Sequence, residues 1–283
     1  EVLLKAYEKW GIDCLQKLRG MFAFAIYDER KRCVYLVRDR FGIKPLYKYL
    51  TKSFMAFSSE IPPLLRFQKQ VTANKNTIRS YLEYGSYDYS EKTFFNGIDS
   101  VLPGTITEIS LYSNHQKSEK WYDISNNLKP NHMSEEEIIL QTEKLISQSI
   151  LSNLVSDVNI GLNVSGGVDS SMLVRKTIKH LGHADLFTQN YPEYSELPWV
   201  QEISEGGTLN VEHLTFQKIN NFLHDTIKSQ AEPFGGVFVC GYNSIYKAAS
   251  LKNIRVLLDG NGVDEIFLGY EKYHQLYVHL SKE

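Results

Sequence analysis

Residues 164–171 read VSGGVDSS. They follow the apolar run VNIGLNV (158–164) and open a helical pattern, SSMLVRKTIKHLG (170–182). Strand, small glycine turn and helix start, in that order, make a site for an anion. Glycines let backbone N–H groups approach a phosphate closely, and the helix adds the positive end of its dipole. Gly166 and Gly167 fill the first role, and Ser165, Ser170 and Ser171 add hydroxyl donors. No lysine stands where a Walker-type loop needs one. Asp169 is instead an acid placed beside a phosphate. That is tolerable only with a cation between the two, so Asp169 reads as a Mg2+ ligand.

A second loop, LLDGNGVDEIFLGY (257–270), also follows an apolar run, with Asp259, Asp264 and Glu265 around two glycines. Asp264 could be the second carboxylate for the same metal, because Mg2+ that bridges phosphates takes one or two protein carboxylates. Either loop alone could equally be a strand-to-helix turn with a capping acid. Both occur at strand ends in one domain, where open parallel sheets bind ligands, and together they favour chemistry over a pair of capped turns.

The elements that carry these loops follow from the pattern of the chain. Its 283 residues, 42% of them hydrophobic, suffice for one large or two ordinary domains. The two halves differ in grammar. In residues 21–60 the short runs MFAFAIYDE, CVYLVRD, PLYKYL and SFMAFSSE are rich in β-branched and aromatic residues and are separated by polar turns. No long helix intervenes, so the sheet is antiparallel, with 28–32 as a hairpin turn. Residues 74–85 form a short helix capped by Asn76 or Thr77 and stopped by Gly85. Residues 94–111 return to strands around Pro103 and Gly104, and the polar stretch 112–133 reads as a linker.

From Ser134 the grammar changes. Glu137, three residues on, completes a capping box ahead of a helix. Strands at 158–164, 185–191, 210–216 and 254–260 then alternate with helices after 169, around 195–207, at 218–228, at 241–251 and near 263. Such alternation predicts a doubly wound parallel sheet. The fold class is therefore α/β overall: an antiparallel β-rich α+β domain, then a doubly wound parallel α/β domain.

Composition narrows the partners. A net charge of −2 offers no bulk attraction for nucleic acid or an acidic membrane. No apolar run approaches the roughly 20 residues of a membrane span, and the start lacks a signal-peptide pattern. Cys14, Cys33 and Cys240 show neither metal spacing nor a disulfide framework, which fits a cytoplasmic setting. Each reads as a core residue. His180, His183, His213 and His224 are dispersed without metal spacing, and Trp10, Trp121 and Trp199 read as packing residues.

Several of these stretches resemble one family. SGGVDSS looks like the pyrophosphate loop (PP-loop) of the ATP-pyrophosphatase superfamily, which cleaves ATP between its α and β phosphates. That implies a loop gripping the pyrophosphate that leaves, hence no lysine for a γ-phosphate. LLDGNGVDEIFLGY resembles the second signature of glutamine-hydrolysing asparagine synthetases. LRGMFAFAIYDERKR, VRDRFGIKPLYKY and FSSEI resemble their N-terminal-nucleophile glutaminase domain, and FFNGIDSVLPGT the stretch leading out of it. The likeness spans nearly the whole chain, in order.

The resemblance implies domains at 1–111 (class II glutamine amidotransferase, partial) and 134–283 (synthetase, incomplete at its C-terminal end), joined by 112–133. It implies a carbon–nitrogen ligase of amino-acid biosynthesis: MgATP adenylates aspartate, and ammonia from glutamine attacks the acyl-adenylate to give asparagine, AMP and pyrophosphate. Carried over by position, Val164 and the backbone at Asp259 and Gly260 contact the nucleotide, and Gln189 lies near the adenine. Ser165, Gly166, Gly167 and Ser170 hold pyrophosphate, and Asp169 and Asp264 hold Mg2+. Asp264 and residue 261 belong to the catalytic set. Members of the family often pair subunits, so a homodimer is the implied assembly, with small-molecule substrates, no nucleic acid and no membrane. Arg38, Asp39 and Arg40 are implied to form structural pairs in the first domain.

The chain departs from the pattern in three places. Asn261 stands where asparagine synthetases carry an acid, and an amide cannot act as a base at neutral pH. This puts aspartate in doubt and opens an alternative, another carboxylate acceptor. Residue 1 is Glu, where the family's glutaminase begins with a cysteine whose amine serves as its base, and Cys14 and Cys33 do not match that nucleophile. The family also continues past the DEIFLGY helix with a later lysine. The stretch is thus expected to be a piece of a longer protein or a remnant that only binds nucleotide, without glutaminase activity of its own.

Overall fold

The structure is a computed structural model and describes residues 1–113, 115–128 and 132–280. Two compact units divide the chain, Glu1–Asn131 and His132–Glu283.

The first unit opens with α1 (Val2–Trp10) and a 3-10 segment, Gly11–Lys17. Then come β1 (Ala23–Asp28), β2 (Cys33–Arg38), β3 (Tyr47–Leu50), β4 (Met55–Ser58), α2 (Ile61–Leu65), α3 (Lys75–Tyr84), β5 (Ile98–Ser100), β6 (Thr105–Ser110) and β7 (Gln116–Lys120). They build two antiparallel sheets, ordered β1-β2-β6-β7 and β4-β3-β5. Alternation along β2 sorts its side chains. Val34 and Leu36 enter one core with Leu46, Val101 and Ile109, while Cys33, Tyr35 and Val37 enter another with Cys14, Leu15 and Ile26. All three cysteines are buried and free, so they serve as small apolar residues.

Asp28 closes the β1–β2 hairpin by accepting the Lys31 N–H at 2.9 Å, and it also accepts the Tyr7 hydroxyl of α1 at 2.7 Å.

Three readings change here. The cap of α3 is Asn74, whose carboxamide oxygen accepts the N–H groups of Asn76 and Thr77, so those two receive the cap rather than supply it. Residues 116–120 lie in the stretch read as linker but pair with β6 as strand β7. All five are exposed, which is why polarity hid an edge strand that buries no face. Residues 114 and 129–131 of that stretch lie outside the described residues. Finally, Arg38, Asp39 and Arg40 do not pair with one another. The buried Asp39 carboxylate accepts backbone N–H groups from Phe22, Phe41, Ile43 and Lys44. Arg38 donates to the carbonyls of Gly42, Lys44 and Val101, and Arg40 to that of Leu18. Backbone groups of an irregular loop need partners when buried, and these side chains supply them.

The second unit runs α4 (Glu135–Asn153), β8 (Ile160–Asn163), α5 (Val168–Leu181), β9 (Asp185–Asn190), α6 (Leu197–Ile203), β10 (Thr208–His213), α7 (Phe216–Gln230), α8 (Phe238–Leu251), β11 (Val256–Leu258), α9 (Val263–Phe267) and α10 (Glu271–Leu280). Ser134 and Glu137 form the capping box of α4. The sheet is parallel throughout, in the order β10-β9-β8-β11.

Helices cover both faces of this sheet. Leu162, Val164 and Leu186 meet Leu173, Val174 and Val200 of α5 and α6, with Ile150 of α4 at the edge. Phe187 meets Ile245 and Ala249 of α8 on the opposite face. Burying each such side chain contributes about 1.5–3 kcal/mol. Among the described residues no helix is long and apolar enough to cross a membrane.

Candidate active site

The strand order fixes where a ligand can sit. From β8 the chain winds outward through β9 to β10, then returns to place β11 on the other side of β8. Loops leaving neighbouring strands part in opposite directions at such a reversal and leave a crevice at their carboxyl ends. Both sequence motifs leave strands there: 164–168 follows β8, and 259–262 follows β11.

Gly260 brings the two loops into contact. A Cβ on residue 260 would stand 3.1 Å from the Cβ of Asp169 and 3.4 Å from the Ser170 nitrogen. Asp169 is half-buried in the first turn of α5. Burial, and then the nearby Asp264 carboxylate, push its carboxyl above the usual range. A carboxyl whose ionisation a neighbouring carboxylate opposes suits a cation between the two. Asp264 in turn packs directly against Gly269, whose N–H donates to the Asp264 carbonyl at 2.9 Å. Among the described residues no group of three or more His, Cys, Asp or Glu could hold a metal. Two carboxylates that leave the other positions to phosphate oxygens and water fit Mg2+ better than a protein-only cage would.

The glycine loop is organised from within. The buried Ser170 hydroxyl donates to the Ser165 and Gly167 carbonyls and accepts the Ser165 N–H at 3.2 Å. Ser171 donates to the Gly167 carbonyl at 2.7 Å. These hydroxyls therefore shape the loop. Ser165, which the pattern also offered as a donor, is exposed, and its Oγ accepts the Gly167 N–H at 3.4 Å. The N-cap of α5 is Gly167, which provides no side-chain cap. Val164 is buried in the core, with its N–H donating to the Phe187 carbonyl.

Gln189, at the end of β9, accepts the Tyr191 hydroxyl at 2.6 Å and packs directly against Gly241 of α8. Asn261 donates to the Asp259 carboxylate twice, from its backbone at 3.1 Å and from its side-chain amide at 3.0 Å. Burial and then the Asp259 charge push up the phenols of Tyr242 and Tyr246, which stack on α8 with centroids 6.3 Å apart.

The sequence reading missed Glu196, Gly269 and the two tyrosines. Glu196 could have been found from its place after a parallel strand, where loops face the crevice. The tyrosines lie in a helix with no motif and carried no signal.

An antiparallel unit stands ahead of a doubly wound unit that carries acid-bearing loops at its switch point. Residues 1–122 match the family model described as glutamine amidotransferase domain, and residues 141–283 that described as asparagine synthase. The chain belongs to the asparagine synthase family. It is 28% identical to putative asparagine synthetase [glutamine-hydrolyzing] 2 of Methanocaldococcus jannaschii, over 95% of this chain and 53% of the relative. It is 27% identical to asparagine synthetase [glutamine-hydrolyzing] 1 of Bacillus subtilis, over 97% of this chain and 43% of that protein. Amidase chyE of Penicillium rubens is 26% identical, with 96% and 43% covered. The chain spans about half the length of these curated relatives.

Proposed function

We propose that the second unit binds MgATP and forms an amide from a carboxylate and ammonia, with cleavage of ATP to AMP and pyrophosphate. In the whole protein the ammonia would come from glutamine, and the acceptor would be aspartate or a related acid. The observation that carries this reading is the contact of Gly260 with Asp169, which joins two acid-bearing loops at one switch point. Asp169 and Asp264 would hold Mg2+, which when bound would neutralise charge on the departing pyrophosphate. Ser165, Gly166, Gly167 and Ser170 would bind pyrophosphate, through backbone N–H groups and the first turn of α5. Val164, Gln189, Asp259 and Gly260 would line the nucleotide.

A second reading, favoured by the tie between Asn261 and Asp259, is that the acceptor is a carboxylate other than aspartate. An amide held by its neighbour's carboxylate takes up no proton there. The relative named an amidase is a further reason to test acceptors broadly.

The test is release of AMP and pyrophosphate from MgATP, with ammonia supplied directly and aspartate present or absent. Aspartate-dependent release that Asp169→Ala abolishes supports the first reading. Release with other carboxylates alone supports the second. Turnover unchanged by Asp169→Ala sinks the metal assignment.

A further inference from the structure

The glycine loop already holds an anion from its own chain. The Gly166 N–H donates to the Glu196 carboxylate at 3.2 Å. Glu196 is the residue before α6, and the start of that helix is pressed onto the loop. A Cβ on Gly166 would stand 3.0 Å from the Trp199 Cβ and 3.4 Å from the Glu196 Cβ. Glycine at 166 therefore has a second reason beyond access for a phosphate, because the α6 entry leaves room for no side chain.

A backbone N–H offers one proton along one direction. A pyrophosphate oxygen and the Glu196 carboxylate cannot both take it, and two anions about 4 Å apart near a protein surface repel each other. We propose that Glu196 is an internal competitor for the pyrophosphate position. It satisfies the Gly166 N–H when the loop is otherwise empty and must swing away when pyrophosphate binds, so it weakens pyrophosphate binding and speeds its departure. Glu196 is exposed, so the swing costs little packing. This rests on the proposed function and adds to it a residue that sets product affinity.

The test is calorimetric titration of this chain with magnesium pyrophosphate, comparing wild type, Glu196→Gln, Glu196→Ala and the control Glu193→Gln. Glu193 is an exposed acid of the same loop, so its replacement changes net charge equally. Both Glu196 variants should bind roughly five- to tenfold more tightly, with the gain shrinking as salt is raised, while Glu193→Gln stays at the wild-type value. A merely structural Glu196 would give weaker binding on replacement. Unchanged or weaker binding by Glu196→Gln, with wild type binding normally and circular dichroism unchanged, overturns the competitor role and leaves the proposed function standing. An equal gain in Glu193→Gln also overturns it. No binding by any folded variant overturns both.

Discussion

Gly260 and Asp169 touch across the two strand-end loops, with 3.1 Å between the Asp169 Cβ and the place where a Cβ on residue 260 would sit. That gap is tighter than ordinary carbon contact, so a methyl group there must push Asp169 aside. Gly260→Ala should weaken MgATP binding about tenfold and change fold stability by less than about 1 kcal/mol. Calorimetry and thermal melts separate the two effects. Unchanged affinity would mean the loops have slack.

Asp169 ionises against burial and against Asp264. A carboxyl raised in the folded state stabilises the fold at low pH. Its cost is absent below the unfolded value of about 3.9 and is fully present once pH has risen through the folded value. Asp169→Asn should therefore melt higher than wild type at pH 7 without ligand, with the gap closing below about pH 4. The same variant should lose Mg2+-dependent nucleotide binding. A lower melting point at pH 7 would refute the repulsion.

Asn261 and Asp259 form a donor–acceptor pair. Asn261→Asp would set two carboxylates against each other, and the expected loss in pyrophosphate release at neutral pH is about tenfold. The exchange Asp259→Asn with Asn261→Asp restores one donor and one acceptor and should recover most of that loss. If Asn261→Asp instead accelerates aspartate-dependent turnover, the acid is wanted at 261 and the pairing is incidental.

In the first unit, the Asp28 carboxyl lies below the usual range, because the Lys31 N–H and then the Tyr7 hydroxyl donate to it. A lowered carboxyl stabilises the fold above its unfolded value of about 3.9, and that contribution is lost as pH falls through the folded value. Asp28→Asn should melt below wild type at pH 7, and the two should converge as pH falls below about 4. Parallel curves across that range would argue that the Tyr7 contact carries no charge dependence.

Much of this architecture was legible because each signal acts over a few residues. The β-branched and aromatic run of β2, the capping box at Ser134 and Glu137, and the glycines at 166 and 167 each have a local cause. The elements that were misread depend on neighbours distant in the chain. Strand β7 exists because β6 offers an open edge, not because its own residues favour a strand. Asp39 looked like half of an ion pair, yet its carboxylate accepts N–H groups from Phe41, Ile43 and Lys44 in the loop that follows it and from Phe22 ahead of β1. In the site, the two motifs announced themselves, whereas Glu196 met Gly166 only through the packing of α6.

The reversal in strand order also sets when the crevice can exist during folding. Asp169 and Asp264 are separated by about 95 positions, and the chain between β8 and its partner β11 includes β9, β10, α7 and α8. Closing so long a loop costs entropy before any contact rewards it, and pairings of high sequence separation form slowly. The glycine loop and α5 can assemble early with β8 and β9, so a chain caught midway would carry half of the crevice. Loss of the β11 pairing alone would remove Asp259, Gly260 and Asp264 from the crevice together, while most of the parallel sheet remained.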